Sequence, residues 1–309
     1  MPYDLTNKLK IAVTTRALFR LEEENKIYYI QGRKKYEQYQ IDNEDKLLIR
    51  GAAFSLIQAL LSINSISAIK DRVEVILVTR NNANTSLRVF NSIENYGLNI
   101  TRGIFTGGGE LVPYLSALDI DLFLTANHKD AQAAIDANIP AATLLTENIP
   151  EYETGVSDQI RIAFDGDAVL FSEESELIYK KSGLEEFKNN ETKHANEPMR
   201  DGPFTKFLRI IADLQSTLGE EQTFIRTALV TARNAPSHKR VINTLRKWGV
   251  RIDEMFFLGG ISKNPILKTF GAQIFFDDQK TYTEPASTLV PSGTVPYNSN
   301  SELNQYKIQ

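Results

Sequence analysis

Four short segments in the second half of the chain carry side chains that suit phosphoryl transfer. A carboxylate can attack phosphorus and form an aspartyl phosphate, and a second carboxyl group two residues on can protonate the leaving oxygen and later deprotonate water. Further carboxylates can hold Mg²⁺, and a lysine and a hydroxyl can hold the phosphoryl oxygens. The segments are Asp165-Gly166-Asp167, Thr231, Lys263 and Asp277-Asp278.

The apolar pattern around these segments predicts strands that alternate with helices. We predict strands at 162–164, 228–231 and 274–276, another strand leading into the turn at Gly259 and Gly260, and helices at 204–214 and 237–248. Such alternation is typical of a parallel sheet covered by helices, where ligands bind outside the carboxyl ends of the strands. The acids, the hydroxyl and the lysine are therefore expected at one edge of a sheet.

An internal repeat relates the two halves of the chain. Residues 10–32 align without a gap with residues 161–183, and residues 77–127 align without a gap with residues 229–279. Both alignments keep the same order and nearly the same spacing, which predicts a tandem duplication of one α/β unit. The units are expected at 1–150 and 151–309, with a seam near 149–159. In the first unit the matching strands are predicted at 11–13, 75–79 and 121–124, and the matching helices at 54–62 and 85–96.

The first unit lacks the acids and the lysine. The residues that align with Asp165, Asp167, Thr231, Lys263 and Asp277-Asp278 are, in that order, Thr14, Arg16, Thr79, Leu111 and Thr125-Ala126. Without a carboxylate at these positions the unit is predicted to be catalytically degenerate. Two interpretations stay open: it only completes a core, or it packs against the active unit and helps to enclose the substrate.

The motifs of the second unit resemble those of the haloacid-dehalogenase superfamily. The sequences IAFDGDAV, ALVTAR, GGISK and IFFDD follow one another in the order that this superfamily uses. The resemblance implies a Rossmann-like fold in which Asp165 is the nucleophile and Asp167 the general acid and base. It further implies that Thr231 and Lys263 stabilise the phosphoryl group.

The same resemblance implies a Mg²⁺ ion at this site. Its expected ligands are Asp165, the carbonyl of Asp167, and one or both of Asp277 and Asp278.

A narrower resemblance, to the cytosolic 5'-nucleotidase I family, covers nearly the whole chain. It rests on AFDGDAVLFSEESE, LVTARNAPS, LRKWGVRIDEMFFLGG and IFFDDQ, and also on TTRALFRLEEE, KYEQYQ and KHANEPMRDGPF. It implies Mg²⁺-dependent hydrolysis of nucleoside 5'-monophosphates, notably AMP. Two alternatives remain open, namely a related phosphatase of sugar or cofactor phosphates and a nucleotide-binding regulatory module with residual activity.

Substrate contacts are expected from three places. These are the segment just after Thr231, a small cap insertion around 183–203, and the first unit. The segment at 183–203 could alternatively be a solvated connector. The candidates are Arg233, Asn234, Lys193, His194, Arg16 and Asn81.

Composition limits the classes of protein. The net charge is −4 and cysteine is absent, so neither a nucleic-acid footprint nor a disulfide framework is indicated. No apolar run approaches the length of a membrane span, and the N-terminus lacks the apolar core of a signal peptide. A cytoplasmic enzyme is expected, and the sequence leaves open whether it forms a homo-oligomer.

Overall fold

The computed structural model describes residues 3–146, 159–219 and 224–306. The strands are β1 Leu9–Val13, β2 Phe19–Arg20, β3 Ile49–Arg50, β4 Val73–Thr79, β5 Arg102–Phe105, β6 Leu122–Thr125, β7 Ala141–Leu144, β8 Ile160–Phe164, β9 Ile225–Thr231, β10 Glu254–Phe257, β11 Ile274–Asp277 and β12 Ser292–Thr294. The helices are α1 Thr15–Leu18, α2 Glu22–Gln31, α3 Arg33–Asp42, α4 Phe54–Ser62, α5 Leu87–Asn95, α6 Val112–Ala117, α7 His128–Asp136, α8 Glu174–Lys193, α9 Thr205–Leu218, α10 His238–Trp248, α11 Asn264–Phe270 and α12 Lys280–Ser287. Of the predicted seam, residues 149–158 lie outside the described ranges.

Within these ranges, ten strands form one sheet in the order β10-β9-β8-β11-β12-β7-β6-β1-β4-β5. All neighbours are parallel except β12 and β7, which run antiparallel. The predicted α/β class is therefore confirmed, with a mostly parallel sheet flanked by helices. The order of strands from the outer edge inwards is the same in both halves of the sheet.

Sequence analysis did not predict β7 and β12, and these strands join the halves into one sheet. Thr294 pairs with Thr143 and Gly293 pairs with Leu144 across their antiparallel contact. A Cβ atom at Gly293 would lie 2.9 Å from the Leu144 side chain and 3.0 Å from the Ala142 Cβ, so glycine favours the close approach of the strands there. Strand β12 is short and contains a glycine, so its own residues have little preference for a strand. It is stabilised as a strand by pairing with its neighbours.

Because of the antiparallel contact, the strands of the first half run in the opposite direction to those of the second half. Strands β1, β4 and β6 end at one edge of the sheet, and β8, β9 and β11 end at the opposite edge. Ligand sites at the carboxyl ends of the two halves must therefore lie on opposite edges.

A continuous apolar core extends under both halves. Phe276 packs between Phe164 and Phe204, with ring centroids 5.8 Å and 4.8 Å away. Gly249 caps α10 in the left-handed conformation, with φ 66°. Among the described residues, no helix has both the length and the apolar character needed to cross a membrane.

Candidate active site

The carboxyl ends of β8, β9 and β11 surround a cavity of about 360 Å³, here called the second-half cavity. Asp165 directly follows β8, and Thr231 is the last residue of β9. These two residues line the cavity together with Asp167, Lys263, Arg233 and Asn234. The structure thus brings together the residues that the strand-end pattern predicted.

Lys263 connects two of the acids. It follows the turn at Gly259 and Gly260 and directly precedes α11, and its Nζ lies 2.6 Å from Asp165 Oδ1 and 2.6 Å from Asp277 Oδ2. Burial opposes the charge on Lys263, but the two carboxylates raise its pKa above the usual value. Lys263 is therefore a fixed cation beside Asp165.

Three carboxylates crowd one point of the site. Each of Asp165, Asp277 and Asp278 has an oxygen within 4.8 Å of an oxygen of the other two. Burial raises the pKa of Asp165 to about 7, where Lys263 opposes the shift and Asp277 adds to it. Burial also raises the pKa of Asp278 well above its usual value, with the charge of Asp277 next in importance.

This crowding is what a site for a divalent cation requires. The Asp278 Oδ2 atom accepts a hydrogen bond from the Tyr297 hydroxyl, whereas Oδ1 is buried without a hydrogen-bond partner. Lys263 offsets only part of the negative charge. A hard cation would pair with the unsatisfied oxygen and offset the remaining charge, so these residues fit a Mg²⁺ ion.

Asp167 is held by Arg233. Arg233 Nε and Nη2 donate to the two oxygens of Asp167, each at 2.7 Å. Arg233 also pairs with the fully buried Glu191, which accepts hydrogen bonds from Arg240 at 2.9 Å and from Ser175 at 2.8 Å. Burial alone would raise the pKa of Glu191, but the charges of Arg233 and Arg240 and the hydrogen bonds from Arg233 and Ser175 together outweigh burial and lower that pKa.

Helix α8 covers the cavity. It is interrupted at Gly183, where φ is 81°, and the side chains of Glu176, Tyr179, Leu184 and Phe187 line the cavity from both sides of the break. The rings of Tyr179 and Phe187 meet edge to face with centroids 6.4 Å apart. The covering segment thus begins before the predicted insertion at 183–203.

Two of the predicted substrate contacts lie away from the cavity. Lys193 and His194 are at the end of α8, and neither lines the second-half cavity. The His194 Nδ1 atom lies 2.9 Å from the carbonyl of Asn190, so the ring helps to close the helix.

Two others, Arg16 and Asn81, line a different cavity of about 320 Å³, here called the first-half cavity. This cavity lies at the carboxyl ends of β1, β4 and β6, on the opposite edge of the sheet. The structure therefore does not place Arg16 or Asn81 near the acids of the second-half cavity. The antiparallel pairing of β7 with β12 puts the carboxyl ends of the first-half strands at the opposite edge of the sheet.

Several residues of the site were missed by sequence analysis. Glu176 and Tyr282 line the cavity, Glu191 supports Arg233, and Tyr297 bonds Asp278. Glu191 lies in a charged run that looks like a solvated connector, so it gave no usable signal. Tyr297 lies far from every motif and reaches the site only through the fold.

Comparison with known proteins shows similarity to 5'-nucleotidases. The model of a family described as 5'-nucleotidase matches residues 1–302. Human cytosolic 5'-nucleotidase 1B is 38% identical over 295 residues, which cover 92% of this chain and 48% of the human protein. The chain thus spans about half the length of this relative. No solved structure matches the chain significantly.

Proposed function

Because the chain belongs to the 5'-nucleotidase family, we propose that it is a Mg²⁺-dependent hydrolase of nucleoside 5'-monophosphates, with AMP preferred. One observation carries the proposal: the acids Asp165, Asp277 and Asp278 meet Lys263 in one buried cluster beside an open cavity. This cluster provides a nucleophile, a cation site and a fixed positive charge within reach of one phosphate group.

The metal would be held by Asp165 and Asp278, with Asp277 beside them. Asp277 has both oxygens engaged, by Lys263 and by the backbone N–H of Gln279, whereas Asp278 keeps an unsatisfied Oδ1. Asp278 is therefore the better ligand of the two. When bound, Mg²⁺ offsets the repulsion between an anionic nucleophile and an anionic phosphate.

The chain's own residues then divide the reaction into two steps. A carboxylate oxygen of Asp165 attacks phosphorus, the ester P–O bond breaks, and an aspartyl phosphate forms. Water next attacks phosphorus and releases inorganic phosphate and free Asp165. Lys263 and the Thr231 hydroxyl hold the phosphoryl oxygens while their charge shifts.

Asp167 would transfer the protons. It gives one to the leaving 5'-oxygen and takes one from the attacking water. Its two-point contact with Arg233 fixes the direction of the carboxylate. Arg233 is thereby proposed to position Asp167, and Asn234 remains the candidate for direct contact with the substrate.

The aromatic lining supports a nucleoside as the leaving group. Tyr179, Phe187 and Tyr282 border the cavity together with Leu184. A planar base can stack on such rings over a larger flat surface than a sugar phosphate offers. We therefore favour nucleotides over sugar phosphates as substrates.

We also propose that the chain is a tandem duplication with a degenerate first unit. Support comes from the matching strand order of the two halves and from matching details. Gly32 and Gly183 both have φ 81° at the break between the covering helices. Tyr28 and Tyr36 meet edge to face over the first-half cavity as Tyr179 and Phe187 do over the second.

The compartment is a further proposal. The human relative is named as a cytosolic enzyme, and we propose the same location for this chain.

The test is phosphate release from a panel of nucleoside 5'-monophosphates and sugar phosphates. It is run with Mg²⁺, with EDTA, and with the Asp165→Asn variant, using Asp45→Asn on the surface as the matched control. The proposal would be supported if phosphate is released from nucleotides only with Mg²⁺ and if Asp165→Asn abolishes this release. Release only from sugar phosphates would keep the mechanism and reject the substrate, and no release from a folded protein would favour a regulatory module.

A further inference from the structure

The first-half cavity has no assigned role, although its position repeats that of the second-half cavity. It measures about 320 Å³ and opens at the carboxyl ends of β1, β4 and β6. None of its lining residues is shared with the second-half cavity. It is therefore a separate place where a ligand could bind.

Among the cavity-lining residues that the structure describes, Arg16 is the one cation without an ion-pair partner. Both acids in its lining are already paired: Glu24 with Arg88 at 2.7 Å, and Asp130 with Arg80 at 2.5 Å. No carboxylate in the part of the chain that the structure describes lies within ion-pair distance of Arg16. An anion would thus find an uncompensated guanidinium there.

Two residues that line the cavity each have a buried polar atom without a partner. The hydroxyl oxygen of Thr14, a residue only 9% exposed, has no hydrogen-bond partner, and neither does the buried Nε of Arg16. Unsatisfied buried polar groups are costly, and both atoms belong to residues that line the cavity. Thr14 and Arg16 occupy the positions that Asp165 and Asp167 hold in the other half. Two acids there are thus replaced by a hydroxyl and a cation, which favours an anionic ligand over a metal.

The opposite wall of the cavity is aromatic. The Tyr28 and Tyr36 rings meet edge to face with centroids 5.7 Å apart, and Tyr36 contacts Asn81. The exposed Tyr29 completes this wall. The cavity thus offers a cation for a phosphate group and aromatic rings for a planar base, and a nucleotide carries both of these groups.

We propose that the first-half cavity binds a nucleoside monophosphate, with its phosphate on Arg16 and Thr14 and its base against Tyr28 and Tyr36, and does not hydrolyse it. The nucleophile and the lysine are replaced by Thr14 and Leu111, and the acid cluster found among the described residues lies in the other half. The choice of a nucleotide deepens the proposed function, but the binding does not depend on catalysis.

The test is calorimetric titration of AMP into the full chain carrying Asp165→Asn, which prevents turnover. We expect two moles of AMP per mole of chain. Adding Arg16→Gln should remove one of them, with affinity at that site weakened about tenfold or more. Lys26→Gln, which removes an exposed lysine of α2 outside the cavity, is the matched control and should bind two.

Competition identifies what is recognised. Inorganic phosphate should displace AMP from the site that depends on Arg16, whereas adenosine should displace it poorly. In the otherwise native chain, Arg16→Gln should leave kcat/KM for AMP unchanged. If Arg16→Gln fails to fold, Thr14→Val tests the same contact with nearly the same shape.

The outcomes separate this inference from the proposed function. Identical titrations for Arg16→Gln and Lys26→Gln, with both proteins folded, would overturn the inference. So would a folded Arg16→Gln whose kcat/KM falls together with its binding, since Arg16 would then serve the second-half cavity. If the native chain hydrolyses no nucleotide but Arg16→Gln lowers the number of AMP molecules bound by one, the proposed function would be rejected and this inference retained.

Discussion

Arg233 holds Asp167 in a two-point ion pair, with Nε and Nη2 each 2.7 Å from a different carboxylate oxygen. The pair is buried, and Glu191 supports the guanidinium from the other side. A planar fork with a second anion behind it has few ways to rotate. Arg233 therefore determines where Asp167 points.

We expect Arg233→Lys to lower kcat about 10- to 100-fold, because a lysine cannot bond both oxygens and Asp167 loses its direction. KM for AMP should change little if Arg233 only positions Asp167. Steady-state kinetics on the folded variant measure both, with Arg246→Lys in α10 as control. A large rise in KM at constant kcat would instead make Arg233 a substrate contact.

Glu191→Gln should destabilise the protein by about 3 kcal/mol at neutral pH, because it leaves buried arginines short of a carboxylate. The folded pKa of Glu191 is lowered, so its charge stabilises the fold above the unfolded pKa and this contribution is lost as the pH falls through the folded pKa. The difference from the native chain should therefore shrink below about pH 4.

Urea denaturation at several pH values measures this difference. Glu185→Gln, an exposed change in the same helix α8, serves as the control and should show no such dependence. A difference that stays constant down to acid pH would mean that the charge of Glu191 is not what stabilises the fold.

Mg²⁺ should raise the melting temperature of the native chain, by an amount that corresponds to about 2.7 kcal/mol at a concentration 100 times Kd. Asp278→Asn should abolish this rise. Without Mg²⁺ the variant should melt at the same temperature as the native chain or higher, because it removes a buried carboxyl group whose ionisation is opposed by burial and by Asp277. Thermal melts with Mg²⁺ and with EDTA measure both effects. A variant that still gains the full Mg²⁺ shift would exclude Asp278 as a ligand.

Tyr179→Ala should raise KM for AMP about fivefold to tenfold and change KM for ribose 5-phosphate much less, because the planar base has the larger surface to stack on the ring. The remote, exposed Tyr114→Ala is the control. Equal changes for both substrates would show that Tyr179 contacts the part they share, the phosphate or the ribose.

Much of the candidate site in the second half of the chain could be predicted because its signals are local. Asp165 and Thr231 come directly after or at the end of apolar strands, and parallel strands bring such ends to one edge. Glu191 could not be predicted in the same way. Its neighbours in sequence are polar, and its burial arises only when α8 packs beside α10 and meets Arg240 and Arg233.

The sequence by itself determined the α/β class, the internal repeat and the identity of the acids and lysine at the strand ends, because each depends on residues close together in the chain. Only the tertiary structure decided where the first half lies. Strand β7 of the first half pairs antiparallel with β12 of the second half through a contact at Gly293, so Arg16 and Asn81 face the opposite edge from Asp165. That direction depends on the packing of two short strands far apart in sequence, and no local pattern encodes it.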